Sequence, residues 1–274
     1  MRNNGVYIKI FVGGGFILLL IILLLILSLI RIYVPKKGEI IEKKIFSNTY
    51  DLSGIEIISF DFKKSNSIFE VTNNDNLIIV QNSKEERFYL NVKENKNQLF
   101  IEEDSYIINP QKKKYTIYIP EKYLNNITLI NGFGNVSINN IKNDIHINNN
   151  SGNIKLRETV NVKIKDVTGE IEFNNSVGNI EASTSTGNVI IKDIKGIINV
   201  ETITGNITVK NFYITGDSSF ENVSGDINIS INKNSVCKKS YINETGKTKI
   251  SDSVCNGDTN ILSVKNVTGI ININ

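Results

Sequence analysis

From Gly134 to the end of the chain one phrase returns every nine residues: a Gly or its substitute, then apolar residues at alternate positions. With that Gly as position zero, the zeros fall at Gly134, Asn143, Gly152, Val160, Gly169, Gly178, Gly187, Gly196, Gly205, Gly216 and Gly225. Two residues on stand Val136, Ile145, Ile154, Val162, Ile171, Ile180, Val189, Ile198, Ile207, Ser218 and Ile227. Four residues on stand Ile138, Ile147, Leu156, Ile164, Phe173, Ala182, Ile191, Val200, Val209, Phe220 and Ile229. All but one of these 22 positions are apolar, in a chain that is 40% hydrophobic. Alternation at period two is a strand with one buried face. Gly or Asn at zero marks a corner that needs positive φ. The column at −2 is mostly apolar as well: Ile141, Val167, Ile194, Ile203, Ile214 and Val223.

A longer period lies inside the first. The strong Ser-Gly and Thr-Gly phrases sit at Gly152, Gly169, Gly187, Gly205 and Gly225, at twice the spacing of the short phrase. One nine-residue unit cannot bury its apolar face alone, whereas stacked units can. The spacing predicts an all-β parallel β-solenoid, about 18 residues and two strands per coil, with coils stacked about 4.8 Å apart. Residues 134–230 then supply roughly five coils, a rod of about 25 Å. A β-sandwich also has short, evenly spaced strands, but hairpins give no reason for the doubled period. "ETGKTKI" at Glu244 and "VTGIINI" at Val267 are later copies, so the C-terminal strand is expected to be an uncovered edge.

Composition agrees. Trp is absent, Pro occurs three times and Gly 19 times, in a chain rich in Ile, Asn, Lys and Thr. These residue types favour strands and tight turns. A net charge of +3 implies no general attraction to nucleic acid. Residues 50–133 are rich in strand patterns ("GIEIISFDF", "NLIIV", "YTIYIP") without the strict period. They read as an irregular opening part of the solenoid, before the regular repeat of 134–274, with a separate β domain as the alternative.

Ile10–Ile30 holds 21 residues without a charge. A helix of that length spans a hydrocarbon core of roughly 30 Å. Residues 10–34 are therefore expected to be a single uncleaved transmembrane anchor, with an N-terminal tail at 1–9 and a juxtamembrane linker at 35–49. Orientation is in conflict. Arg31, Lys36, Lys37, Lys43 and Lys44 after the span outnumber Arg2 and Lys9 before it, which favours a cytoplasmic C-terminal part. Long domains translocate largely regardless of charge, and the cysteines favour export.

The order of anchor, "SGIEIISFDFKKSNSIFEV" (Ser53–Val71), "YTIYIPEKYLNNITLINGFGNVSINNI" (Tyr115–Ile141) and tandem "TGNI" strands resembles the bacterial domains described as putative adhesins. The likeness covers about residues 50–274, and its specific part is Ile117–Ile138. It implies a β-solenoid with an extracytoplasmic, envelope-associated role, in some cases tied to envelope-stress systems. It supplies no catalytic motif.

The candidate sites are few. Cys237 and Cys255, in "NSVCKK" and "DSVCNG", are one coil length apart, so they are expected to stack within disulfide range. Lys155, Arg157, Lys192 and Lys210 form a loose basic stripe; its ordinary reading is a solvated face, and its functional reading is a surface for anionic envelope polymer or lipid head groups. The residues just after the zeros (Asn153, Glu170, Asn179, Asn188, Ile197, Asn206, Asp217, Asp226) are too mixed for a calcium β-roll and read as turn chemistry. His146, the one histidine, points outward between Ile145 and Ile147, away from any ligand cluster. Glu172 and Glu181 fall on opposite strands, and Glu201 and Glu221 stack without a further acid or base, so no catalytic residue, metal or cofactor is expected. The function read from the sequence is binding or scaffolding at the cell envelope through the outward faces or the C-terminal edge, with self-association as one outcome. A cytoplasm-facing scaffold that polymerises, and a glycan-processing enzyme, are the alternatives.

Overall fold

A computed structural model describes residues 44–83, 89–104, 113–251, 255 and 257–274. The expected anchor at 10–34 lies outside the described residues. Lys43–Asn274 form one compact unit. The described residues are all β, with no helix long and apolar enough to cross a membrane.

The alternating sequence becomes stacked parallel strands. The central coils are β8 and β9 (Asn126–Phe133, Val136–Asn139), β10 and β11 (Ile145–Ser151, Ile154–Arg157), and β12 and β13 (Val162–Thr168, Ile171–Asn174). They continue through β14 (Val177–Thr186), β15 (Val189–Thr204), β16 (Ile207–Ile214), β17 (Ser218–Ser224) and β18 (Ile227–Ile231). On one face Ile127, Ile145, Val162, Ile180 and Ile198 follow one another in register, one coil at each step. On the other face Val136, Ile154, Ile171, Val189 and Ile207 do the same.

Every position of the two apolar columns is buried, Ser218 included. Ser218 fits because its hydroxyl accepts the Ile198 N–H at 3.1 Å and donates to the Gly216 carbonyl at 3.2 Å. The buried apolar side chains form one continuous cluster.

The −2 column divides. Ile141, Ile194 and Ile214 are buried, but Val167, Ile203 and Val223 are about half exposed, at 49%, 56% and 47%. The cause is a short third flank of the coil. There Ile194 pairs with Phe212, and Lys195 with both Val177 and Tyr213. The chain turns into this flank at a second left-handed corner: Asn140, Glu158, Asn175, Asp193 and Asn211 have φ between 52° and 57°.

Coil order at the two ends departs from chain order. Near the N-terminus lie β1 (Lys44–Tyr50), β2 (Ile57–Phe62), β3 (Asn66–Thr72), β4 (Leu77–Ser83), β5 (Leu90–Asn95), β6 (Gln98–Glu103) and β7 (Lys114–Pro120). The coil of β2 and β3 sits between that of β6 and β7 and that of β8 and β9. β1, β4 and β5 add antiparallel pairs at this end. At the other end are β19 (Lys238–Asn243), β20 (Lys247–Ile250), β21 (Ile261–Thr268) and β22 (Ile270–Ile273). β21 pairs with β17 and β19, and β22 with β18 and β20. The "TGIINI" strand is thus covered on both sides, contrary to the expected open edge. At this end the outer edge of the described residues is β19 and β20. This order fits the side chains. The inward columns of β21 and β22 carry Leu262, Val264, Ile271 and Ile273, all buried, whereas the matching positions of β19 and β20 carry Lys239, Tyr241, Thr248 and Ile250. A solenoid's terminal unit must tolerate water on one side, and only the second set does.

Candidate functional site: the outward columns of the coils

The filled interior leaves the outward columns, the corners and the outer coil as contact surfaces. On the β11–β16 face, Lys155 pairs in register with Glu172, and Arg157, Asn174, Lys192 and Lys210 form the next outward column. The predicted stripe is therefore one surface, but not a bare positive one. Glu172 reaches Lys192 at 2.8 Å and Lys155 at 3.4 Å, and so bridges two of its four cations. The Lys192 hydrogen bond, with help from Lys155, holds the Glu172 carboxyl below its ordinary pKa despite partial burial. Arg157 contacts Glu158 at 3.2 Å, and Lys210 is exposed.

The column after each strong Gly is turn chemistry. The Asn135 side-chain oxygen accepts the Asn153 N–H at 2.9 Å, Asn153 accepts Glu170 at 3.1 Å, and Asn188 accepts Asn206 at 2.9 Å. Asn206 and Asp226 continue the ladder to Asp226 and Ile270. Each of these oxygens satisfies the corner of the neighbouring coil. Among the described residues no group of His, Cys, Asp and Glu is arranged to hold a metal. His146 is exposed, in the column of Lys163 and Glu181. Glu201 and Glu221 are exposed register partners.

A second ladder escaped the sequence reading. Asn131, Asn149, Asp166, Thr184, Thr202, Asn222 and Asn266 occupy one buried column just before the strong corners. Asn149 donates to the Gly152 carbonyl at 3.0 Å and to Asp166 at 2.6 Å, and Thr184 donates to Asp166 at 2.9 Å. Asn222 and Asn266 donate to the carbonyls of Gly205 and Gly225. The column satisfies corner carbonyls that would otherwise be buried unpaired. Burial raises the Asp166 pKa, against the opposing effect of its hydrogen bonds. Its signal in the sequence is Asn, Asp or Thr three residues before each strong Gly. Glu103, also buried, serves a corner in the same way by accepting the N–H groups of Lys63 at 2.7 Å and Lys64 at 2.9 Å.

Two shallow troughs cross the β10–β21 face. One, of about 300 Å³, has Glu201, Glu221 and Lys265 along one wall and Ile203, Val223 and Val267 along the other. The second, of about 320 Å³, is bordered by Asp144, His146, Lys163 and Glu181.

The structure brings Cys237 and Cys255 together as a disulfide pair, with Cα atoms 4.4 Å apart, but not by the expected stacking. The local coil is longer than the regular one, since Lys238 pairs with Ile261. Cys255 instead sits in the connection after β20, with φ of 59°.

The chain aligns with solved structures at low identity. A protein described as a putative adhesin from Bacteroides fragilis is 15% identical, with 85% of this chain and 98% of that chain covered and a TM-score of 0.37. One with the same description from Parabacteroides distasonis is 13% identical, with 84% and 98% covered and a TM-score of 0.39. A putative cell adhesion protein from Clostridium sporogenes is 14% identical, with 85% and 99% covered and a TM-score of 0.27. No functionally curated protein matches this chain. The family profile named Toastrack DUF4097 matches residues 54–266, and the chain, with its stacked and cornered strands, belongs to that family.

Proposed function

We propose that this protein is a membrane-anchored, extracytoplasmic β-solenoid that binds or scaffolds at the bacterial cell envelope. The observation that carries the binding role is the continuous buried apolar interior of the described coils, which leaves the outward columns to meet a partner. Rigid stacked strands present those columns at a fixed spacing of about 4.8 Å, which suits repetitive polymers and extended protein partners. The uncharged stretch from Ile10 to Ile30 supports the anchor, and a paired Cys237 and Cys255 suit an oxidising compartment.

The surface we favour for anionic polymer or lipid head groups is the stripe of Lys155, Arg157, Lys192 and Lys210. Partial neutralisation by Glu172 makes that attraction local and salt-sensitive. The test has two arms. Protease added to intact cells should cleave the domain if it faces outward, and full protection overturns the location. The purified protein should bind members of a panel of anionic and neutral envelope glycans, with the anionic ones released by salt. Turnover of a glycan in that panel overturns the non-catalytic reading.

A further inference from the structure

We propose that the Cys237–Cys255 pair is a redox latch on the outer coil of the solenoid. The disulfide closes β19 and β20 into a ring over β21 and β22, and reduction frees that coil and uncovers their pairing edge. The inference goes beyond the binding role and does not depend on which side of a membrane the domain faces.

Three observations meet here. First, the pair brackets the outer coil. Cys237 immediately precedes β19, and Cys255 follows β20, so both strands lie within the covalent loop. Second, the outer coil is weakly held. Among the described residues β19 pairs only with β21 and β20 only with β22, whereas each strand beneath is paired on both sides. Its inward column offers Lys239, Tyr241, Thr248 and Ile250; Tyr241 is 51% exposed and only Ile250, half-buried, packs against the core, so little apolar burial keeps the coil in place. Segments with few buried apolar contacts open first. Third, what it covers is costly to uncover. Leu262, Val264, Ile271 and Ile273 lie directly beneath it, as does a run of strand edge in "TGIINI" with no charge to discourage pairing.

The chemistry balances by thiol–disulfide exchange. Closing removes two electrons and two protons from the thiols and passes them, through a mixed disulfide, to an acceptor disulfide. Opening takes two electrons and two protons from a dithiol, which leaves as its cyclic disulfide. Both sulfurs belong to buried residues, so exchange follows a local opening of the coil and proceeds over minutes to hours.

The test is hydrogen exchange read by mass spectrometry on the full chain in detergent, with and without dithiothreitol. Bond opening is verified in the same peptides by the mass of two added hydrogens. Reduction should speed exchange in β19 and β20 by on the order of 100-fold, the constraint expected for a ring of this size. Exchange in β21 and β22 should rise as well, while β10 to β16 stay unchanged. The Cys237→Ser, Cys255→Ser double variant should show the fast pattern without reductant and no further response to it. If that variant fails to fold, the wild-type comparison still decides. Unchanged exchange in β19 and β20 with the bond open overturns the latch. So does a uniform increase along all coils, or two free thiols in protein prepared under oxidising conditions.

Discussion

Gly205 lies directly above Gly187, so closely that a β-carbon on Gly205 would fall on the Gly187 carbonyl oxygen. Its φ of +144° adds a second demand for glycine. Gly205→Ala therefore meets both backbone strain and a clash with a neighbour that cannot move. Gly54, at φ +77°, has open space around its missing side chain. We expect Gly54→Ala to cost about 1 kcal/mol and Gly205→Ala at least ~3 kcal/mol. Chemical denaturation of the two variants checks this; equal losses would mean that the stacked glycines are not in contact.

Val209 is buried between the faces, and Thr208 beside it faces outward between Ile190 and Asn228. Val209→Asp should cost roughly 3–5 kcal/mol, because an unpaired charge would enter a dry core. Thr208→Lys should change stability by less than about 0.5 kcal/mol. Equal melting temperatures would show that the inward column is wrongly assigned.

Asp166 gives a pH signature. Its folded-state pKa is raised, chiefly by burial, so the folded form holds its proton more tightly than the unfolded form. Linkage then lowers stability as pH rises through the Asp166 range, and restores it on acidification. Asp166→Asn continues the Asn131–Asn149 ladder without the charge. We expect the Asn variant to be more stable than wild type at neutral pH, with the gap narrowing as pH falls below the raised value. Melting curves across pH check it; a gap that widens on acidification would contradict the sign.

Glu172 works in the opposite direction. Its pKa is lowered, first by the Lys192 hydrogen bond, so its contribution is present above the ordinary carboxylate range and is lost as pH falls through the lowered value. Glu172→Gln should leave the fold intact, because ion pairs open to water through their lysines contribute little. It should also free Lys155 and Lys192 and strengthen retention of the protein on an anionic polymer column. Unchanged retention at low salt would remove the stripe as an anion-binding surface.

Local pattern was legible in the sequence, and global order was not. The two apolar columns stood out because period-two burial leaves a direct mark on residue type, as at Ile207 and Val209. The half-exposed Val167, Ile203 and Val223 share an apolar column with the buried Ile141 and Ile194, since a third flank changes which face an apolar residue meets while its type stays the same. The buried Asn, Asp and Thr ladder passed for turn composition, because the residues that cap a corner from inside are those that favour turns. Coil order at the ends was hidden for another reason. Val136 pairs with Ser67, far earlier in the chain, and Ile227 pairs with Ile271 beyond the next coil in sequence. No periodicity marks pairings at such distances, and the choice rests on which coil can leave one side in water.

That choice is testable at one register pair, Ile271 and Thr248. If the strand holding Ile271 were the outer edge, an acid there would still reach solvent and be tolerated. In the observed order Ile271 is fully buried between β18 and β20, while Thr248, in the outer coil, is exposed. Ile271→Asp should thus match Val209→Asp, at roughly 3–5 kcal/mol, because the charge enters the same core. Thr248→Asp should cost less than about 1 kcal/mol, since water reaches that side chain directly. Denaturation midpoints of the two variants decide between the orders: a mild Ile271→Asp with a severe Thr248→Asp would place β22 outside and β20 within.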